Sequence, residues 1–497
     1  MGNRRDDIVA EQRAQIAIEV LSPHRSWGTI THLQQTYGLS RQGIYDIAAK
    51  GFRVLRTGMK PGGYGPQPNQ HHVEVNRNRL QRSVLALTEA GASQRSVVAC
   101  LAEALDTKVS LGWVNGQLAQ LEKAATSINQ QWQPAGDETL SGDEMFANGQ
   151  PNLLIVGNES LYIYALTRQE ERDGDTWGCL LLDAPASAQF ASDAGTGLAA
   201  GVQAAEIETH QLDWDHLLRP MWGQATRLEK RAYAALQKVE ERGDKFDNSR
   251  TSKRLQQHLQ KWQQLSQQAE KKINQLDAFY PLAREVDDWF SLVDLATGQL
   301  PDAEQGRRRL CALGQQLEKM AGRIYQKLAK NLQNWAAGLF SYQPALQQAL
   351  APLQVEYGPQ AIAALSRLWQ CEADEKRRRL SLSEQQERQQ IWQQSLDEAW
   401  DLLGEVRLSP AWDALREVLG RSWRGSMLAE CVNSLLRPVL DRRKHTDQGC
   451  LELFRFLHNA RPFKRGKRAG NSPAQLAGLG VSDDPFVLLG LLPKVSS

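Results

Sequence analysis

Apolar residues recur along this chain with two different periods, and the change of period divides it. Between 138 and 212 they come in short runs at strand spacing. Glu138–Phe146, Pro151–Val156 and Leu161–Thr167 are three such runs, separated by Asn148-Gly149 and Gly157-Asn158. Runs of this kind around tight turn pairs predict a β-meander. Trp177–Leu182 reads as a helix, Ala188–Asp193 as a fourth strand, Gly-rich Ala194–Val202 as a turn and helix, and Ile207–Leu212 as a fifth strand. Elsewhere the period is that of helices. Ile8–Leu21, Thr29–Tyr37 and Arg41–Lys50 are three short ones. Gly38 tolerates the left-handed turn between the second and third, and Ser40 caps the third. In 75–124, Ser93 opens Gln94–Leu105 and Ser110 opens Leu111–Ala124. His216 to Trp412 is almost all helix, punctuated by Pro281, Pro301, Pro344 and Pro352. Within it, Arg227–Leu276 is polar with apolar residues at wide spacing, which predicts an extended hairpin more than a globular core. A last amphipathic helix surrounds Glu430. Leu428, Val432, Leu435 and Leu436 form its apolar face, while Glu430, Asn433 and Arg437, spaced by three and four, share a polar one.

These elements imply a multidomain protein. Two all-α units, 1–58 and 75–128, flank a Pro- and Gly-rich linker at 59–74. An α/β core follows in two parts, 138–215 and 413–480, interrupted by an all-helical insertion at 216–412 and ending in a loose tail at 481–497. A domain inserted at a loop should have its two ends close together. The length of 497 residues suits three or so domains. Helix, Gly-containing turn, helix is the helix-turn-helix pattern. It predicts double-stranded DNA as a partner, with Arg41, Gln42 and Tyr45 near the reading end of the third helix. The second helical unit resembles the first, and two units on a flexible linker would read a bipartite site.

Net charge is only +2, so any basic surface must be local. It is: from Arg437 to Arg468 there are ten Lys or Arg against three Asp or Glu. Arg442, Arg443, Lys464, Arg465, Lys467 and Arg468 are the candidate phosphate contacts of that stretch. The six cysteines form no CxxC pair, which argues against a disulfide framework or structural zinc. No apolar run reaches the length of a membrane span and no signal peptide is legible, so the expected location is cytoplasmic, associated with the nucleoid.

Three acids stand out by placement: Asp143 in the first strand, Asp193 at the end of the fourth, and Glu430 on the late helix. Three antiparallel strands followed by alternating helices and strands is the order of the ribonuclease-H-like fold. There the first and fourth strands lie side by side and a late helix packs across them. Three converging carboxylates need divalent cations to neutralise them, and hard oxygen ligands select Mg²⁺ or Mn²⁺. Two such ions about 3.5–4 Å apart serve in-line phosphoryl transfer. Of the rival acids, Glu144 is turned to the opposite face by strand alternation. Asp183 is followed almost at once by Pro185, and the acids nearest Glu430, Glu417 and Asp441, lie outside its helix.

Four runs carry a resemblance: Ser-Gly-Asp143-Glu-Met-Phe with Gly-Gln-Pro-Asn-Leu-Leu-Ile-Val; Ala-Ser-Asp193-Ala-Gly-Thr-Gly-Leu; Leu-Asp213-Trp-Asp-His216-Leu-Leu-Arg; and Ser426-Met-Leu-Ala-Glu430-Cys-Val-Asn-Ser-Leu-Leu-Arg-Pro. Over 138–480 the chain resembles bacterial insertion-sequence transposases of the DDE superfamily. The resemblance implies Asp143, Asp193 and Glu430 as the catalytic and metal-binding triad, with two Mg²⁺ or Mn²⁺ ions per site. The long Asp193–Glu430 gap implies an all-helical insertion, as in some larger members. Asp213-x-x-His216 is similar to an Asp/Cys-x-x-His signature that some of those carry before the insertion. It implies a supporting role for Asp213 and an orienting one for His216, with Asn433 and Arg437 supporting Glu430 or touching phosphate. The implied activity is binding of an element's terminal repeats, strand cleavage, and attack of the 3′-hydroxyl on target DNA, in a dimer or larger assembly. Two other readings fit the same residues: a non-catalytic regulator descended from a transposase, and a ribonuclease-H-like nuclease without strand transfer.

Overall fold

A computed structural model describes residues 7–59, 75–136, 138–247, 252–377, 380–442, 446–481 and 484–491. It is mostly helical, with one mixed five-stranded sheet, and divides into two compact units near residue 75.

The first unit holds α1 (Ala10–Leu21), α2 (Thr29–Tyr37) and α3 (Arg41–Gly58). Ile16, Val20, Ile30, Leu33, Ile44 and Ala48 form its core. Gly38 ends α2 at a φ of 60°, the left-handed value that favours glycine. The Ser40 hydroxyl accepts from Gly43 N and opens α3, which runs eight residues beyond the predicted end at Lys50, to Gly58. The linker residues 60–74 lie outside the described residues.

The second unit opens with α4 (Arg77–Glu89), α5 (Gln94–Leu105) and α6 (Leu111–Gln131). Ser93 and Ser110 cap α5 and α6 as predicted. Their expected independence is not found. Leu85, Leu121 and Ala125 bury against Leu453, Phe456, Leu457 and Ala460 near the C-terminus, and Asn129 Nδ2 donates to Glu452 O at 2.9 Å. This helical group is therefore a layer of the large unit.

The sheet comprises β1 (Leu140–Ala147), β2 (Gln150–Gly157), β3 (Ile163–Arg168), β4 (Gln189–Ser192) and β5 (Thr209–Leu212), in the order β3-β2-β1-β4-β5. The first three pair antiparallel, while β4 runs parallel to β1 and β5 parallel to β4. Helices α7 (Gly174–Leu182) and α8 (Thr196–Ala204) cover one face, where Leu153, Ile155 and Phe190 meet Trp177, Leu181, Leu198 and Val202. Burial on both faces explains why β2 reads as a continuous apolar run. Gly142 is required on β1, since a Cβ there would come within 2.4 Å of the Phe190 ring.

The insertion comprises α9 (Trp214–Asp247), α10 (Ser252–Trp289), α11 (Ala303–Glu318), α12 (Arg323–Trp335), a 3-10 turn at Gly338–Phe340, α13 (Gln343–Tyr357), α14 (Pro359–Arg377) and α15 (Leu382–Gly420), which is broken at Gly404. It has two cores, one around Trp214, Phe279, Leu313 and Phe340 and one around Ile362, Leu365, Leu403 and Leu415. The second core reaches Leu419, so the insertion ends near 420 and not at the predicted 412. Between Ala232 and Ala269 no described side chain is buried, so the hairpin expected over Arg227–Leu276 is an exposed arm in its middle, while Leu228 and Leu276 pack into the first core. Trp214 N donates to Arg424 O at 3.2 Å, which brings the ends of the insertion together. Gln211 ties edge strand β5 to the insertion: Nε2 donates to Leu339 O at 3.0 Å and Oε1 accepts from Tyr342 N at 2.9 Å.

The chain closes with α16 (Met427–Arg442), which takes in Asp441, expected outside the Glu430 helix, and with α17 (Gln448–Ala460), α18 (Pro473–Leu476) and α19 (Pro485–Leu488). Ala429, Val432, Leu436 and Leu440 of α16 pack on Met145, Leu154, Val156 and Ile163, covering the second face of the sheet. Leu435, expected in that apolar stripe, is 54% exposed. The predicted loose tail is partly ordered: Leu489 and Leu491 are buried, and Asp484 pairs with Arg82 at 3.0 Å. Residues 482–483 and 492–497 lie outside the described residues. Among the described residues no helix is long and apolar enough to cross a membrane.

Candidate active site

Asp143 lies on central strand β1, on the face that α16 covers; Met145, two residues on, is buried against that helix. One carboxylate oxygen, Oδ2, accepts from Asn433 Nδ2 at 2.8 Å, and Oδ1 accepts from Glu144 N at 2.8 Å. Burial pushes Asp143 up to about 6; those two bonds oppose it, and the charges of Asp193 and Glu430 add to it. Asp193 follows the last residue of β4, the strand beside β1. Its Oδ1 accepts from Gly195 N at 3.0 Å, closing the turn that starts α8. Glu144 points to the other face, as alternation requires, and pairs with Arg172.

Glu430 sits in the first turn of α16 and is held by a residue not singled out in the sequence. Arg219 of α9 donates from Nη1 to Oε1 at 3.1 Å and from Nη2 to Oε2 at 2.7 Å. Its signal was present, one helical turn beyond His216 and therefore on the same face.

Asp213 is the hub between strand, insertion and late helix. It is buried just past β5. It accepts from Asp215 N at 2.7 Å, His216 Nδ1 at 3.1 Å, Ser426 N at 2.9 Å and Ser426 Oγ at 2.7 Å. Burial alone would raise this carboxyl, but the bonds from His216 and Ser426 outweigh it and hold Asp213 below the usual range. Gly425 must be glycine, because a Cβ would come within 2.5 Å of Asp213 Oδ1. The bond to Asp213 raises His216 to about 9 against the opposing effect of burial, with help from the charges of Asp213, Asp193 and Glu430. His216 is therefore an imidazolium at neutral pH, with Nε2 3.8 Å from Glu430 Oε1.

The donor set suits a hard divalent cation. The Asn433 amide oxygen, on the group that bonds Asp143, is buried without a hydrogen-bond partner, and Asp143 carries its charge against burial. A cation with its water shell would relieve both. The three acids do not yet converge on one point. Among the described residues, the group whose ligand atoms lie within 4.8 Å of one another is Asp213, His216 and Glu430, without Asp143 or Asp193. That trio is an ion-pair network more than a metal site, since Asp213 is saturated by four donors and His216 is cationic.

The remaining candidates divide. Arg437 is exposed on α16, and the guanidinium on Glu430 is that of Arg219. Lys464, Arg465 and Lys467 are exposed, with Lys467 Nζ 5.2 Å above the Trp423 ring. Arg468, expected on phosphate, donates to the carbonyls of Glu159 and Asn158 at 2.7 and 2.8 Å. Those carbonyls belong to the β2–β3 turn, and satisfying them commits the side chain to the fold. The side chain of Arg442 and all of Arg443 lie outside the described residues. In the first unit Arg41, Gln42 and Tyr45 are exposed on α3, and Gln42 Nε2 donates to Asp46 at 2.9 Å. No known protein-family profile matches the chain, and no curated protein matches it either.

Proposed function

We propose that this protein is a DDE-type DNA transposase whose catalytic core has the ribonuclease-H-like fold. The observation that carries the reading is the pairing of strands β1 and β4. It puts Asp143 on β1 and Asp193 just past the end of neighbouring β4 in the sheet order β3-β2-β1-β4-β5, with the Glu430 helix bonded to Asp143 through Asn433. The charges of Asp193 and Glu430 both bear on Asp143, as expected of carboxylates around one cation site. Two Mg²⁺ or Mn²⁺ ions held by Asp143, Asp193 and Glu430 would supply Lewis-acid activation of the attacking and leaving oxygens. The protein's own residues orient the ligands. Asn433 fixes Asp143, Gly195 N fixes Asp193, and Asp213 fixes His216 and the start of α16. The substrate is the element's terminal DNA and then target DNA, with the α1–α3 unit reading sequence and Lys464, Arg465 and Lys467 available to phosphate. Joining two element ends requires at least a dimer.

The test is cleavage and joining of a DNA substrate bearing the inverted repeats that flank the gene. Asp143→Ala, Asp193→Ala and Glu430→Gln should each abolish both steps and leave DNA binding within a few fold. A variant that cleaves at wild-type rate removes that residue from the triad. Nicking by the wild-type protein without joining would replace transposition by hydrolysis alone.

A further inference from the structure

Arg219 occupies the carboxylate that a metal site would need. Its fork spans both oxygens of Glu430, the arrangement in which guanidinium and carboxylate bind best. While that pair stands, Glu430 is drawn toward Asp213 and His216 and stays outside a common ligand group with Asp143 and Asp193. His216 pairs with Glu430 less closely than Arg219 does, since Asp213 fixes its ring and its Nε2 stands 3.8 Å from Glu430 Oε1. Apart from that pair, Arg219 is open to solvent. Its side chain is 59% exposed, and its further ion pair, to Asp215, is 3.6 Å long.

We propose that Arg219 is an exchangeable counter-cation: it holds Glu430 in the metal-free protein and passes to a phosphate of bound DNA when Glu430 serves as a ligand. The proposal rests on the metal-dependent reading above and adds to it a residue and an order of events. A guanidinium grips phosphate in the same two-pronged way as carboxylate, so DNA and Glu430 compete for one fork. DNA that takes Arg219 leaves both Glu430 oxygens open. By linkage, DNA then tightens metal binding by the same factor as metal tightens DNA binding. Protein without DNA is thereby kept poorly loaded, and the cleavage site is completed only where there is a strand to cut.

The experiment is calorimetric titration of the full-length protein with Mn²⁺. It is run alone and with a saturating random-sequence DNA duplex, whose own Mn²⁺ uptake is subtracted. Wild type should bind Mn²⁺ roughly fivefold or more tightly with DNA than without. Arg219→Ala should bind Mn²⁺ without DNA as tightly as wild type does with it, and DNA should add nothing further. Arg219→Lys, which keeps the charge and loses the fork, should fall between. Arg219→Ala that binds Mn²⁺ no more tightly than DNA-free wild type overturns the proposal. Asp143→Asn and Glu430→Gln separate this failure from the other: if both bind Mn²⁺ as well as wild type, the metal site itself is wrong, whatever Arg219 does.

Discussion

The pairing of Asp213 with His216 makes a quantitative demand on pH. The imidazole moves from 6.5 to about 9 on folding. At ~1.4 kcal/mol per tenfold change in proton affinity, that corresponds to about 3 kcal/mol. The His216 side chain is 33% exposed, and solvent screening brings the figure to roughly 2 kcal/mol. The sign follows from linkage: the folded state binds the proton more tightly, so the stabilisation is complete below the unfolded value of 6.5 and disappears as pH rises through about 9. Histidine-labelled protein, with the resonance assigned by His216→Gln, reads the titration directly by NMR. The midpoint should lie far above 6.5, and Asp213→Asn should return it toward that value. Urea unfolding should show wild type more stable than His216→Gln by roughly 2 kcal/mol near pH 6, with the gap closing near pH 10. A midpoint below 7, or a gap of equal size at both pH values, would refute the ion-pair account.

Two further outcomes concern the flanking parts. A fragment ending near residue 75 should bind element-end DNA with strong salt dependence, and Arg41→Ala or Gln42→Ala should weaken it. Identical footprints on end and random DNA would remove the claim of sequence recognition. Replacing residues 233–268 of the arm with a short Gly/Ser turn removes no residue of either insertion core, so both cores should stay folded while paired-end assembly falls. Wild-type assembly after this deletion would reduce the arm to a spacer.

The strands and capped helices were legible because their signals are local. Asn148-Gly149 and Gly157-Asn158 punctuate the meander, and Ser40, Ser93 and Ser110 each accept from the first turn of the helix they open. The opposite orientation of Asp143 and Glu144 was legible for the same reason, since alternation along β1 puts them on different faces. What was missed depends on partners far away in sequence. Helical spacing makes Leu435 as apolar as Leu436, and only the position of the sheet under α16 tells them apart. Arg468 looks like a phosphate ligand until the β2–β3 turn claims it. The α4–α6 group looks autonomous until Phe456 is found against it. Arg219 carried a local clue in its spacing from His216, but its partner Glu430 lies 211 residues on.

The Asp213–Ser426 bond joins residues 213 positions apart, with the whole insertion between them. A chain emerging from the ribosome can pair β1 to β5 early, because every strand precedes residue 213. Glu430 arrives only after two further helical cores have been synthesised, and closing so long a loop is slow unless they have already folded and drawn its ends together. Co-translational order therefore places assembly of the acids last. A nascent or prematurely terminated chain that stops within the insertion carries α1–α3 and the five described strands, but lacks Glu430 and the α16 residues that cover Leu154, Val156 and Ile163. On the proposed function, such a product would bind element ends through α1–α3 without cutting them and would compete with the full-length protein.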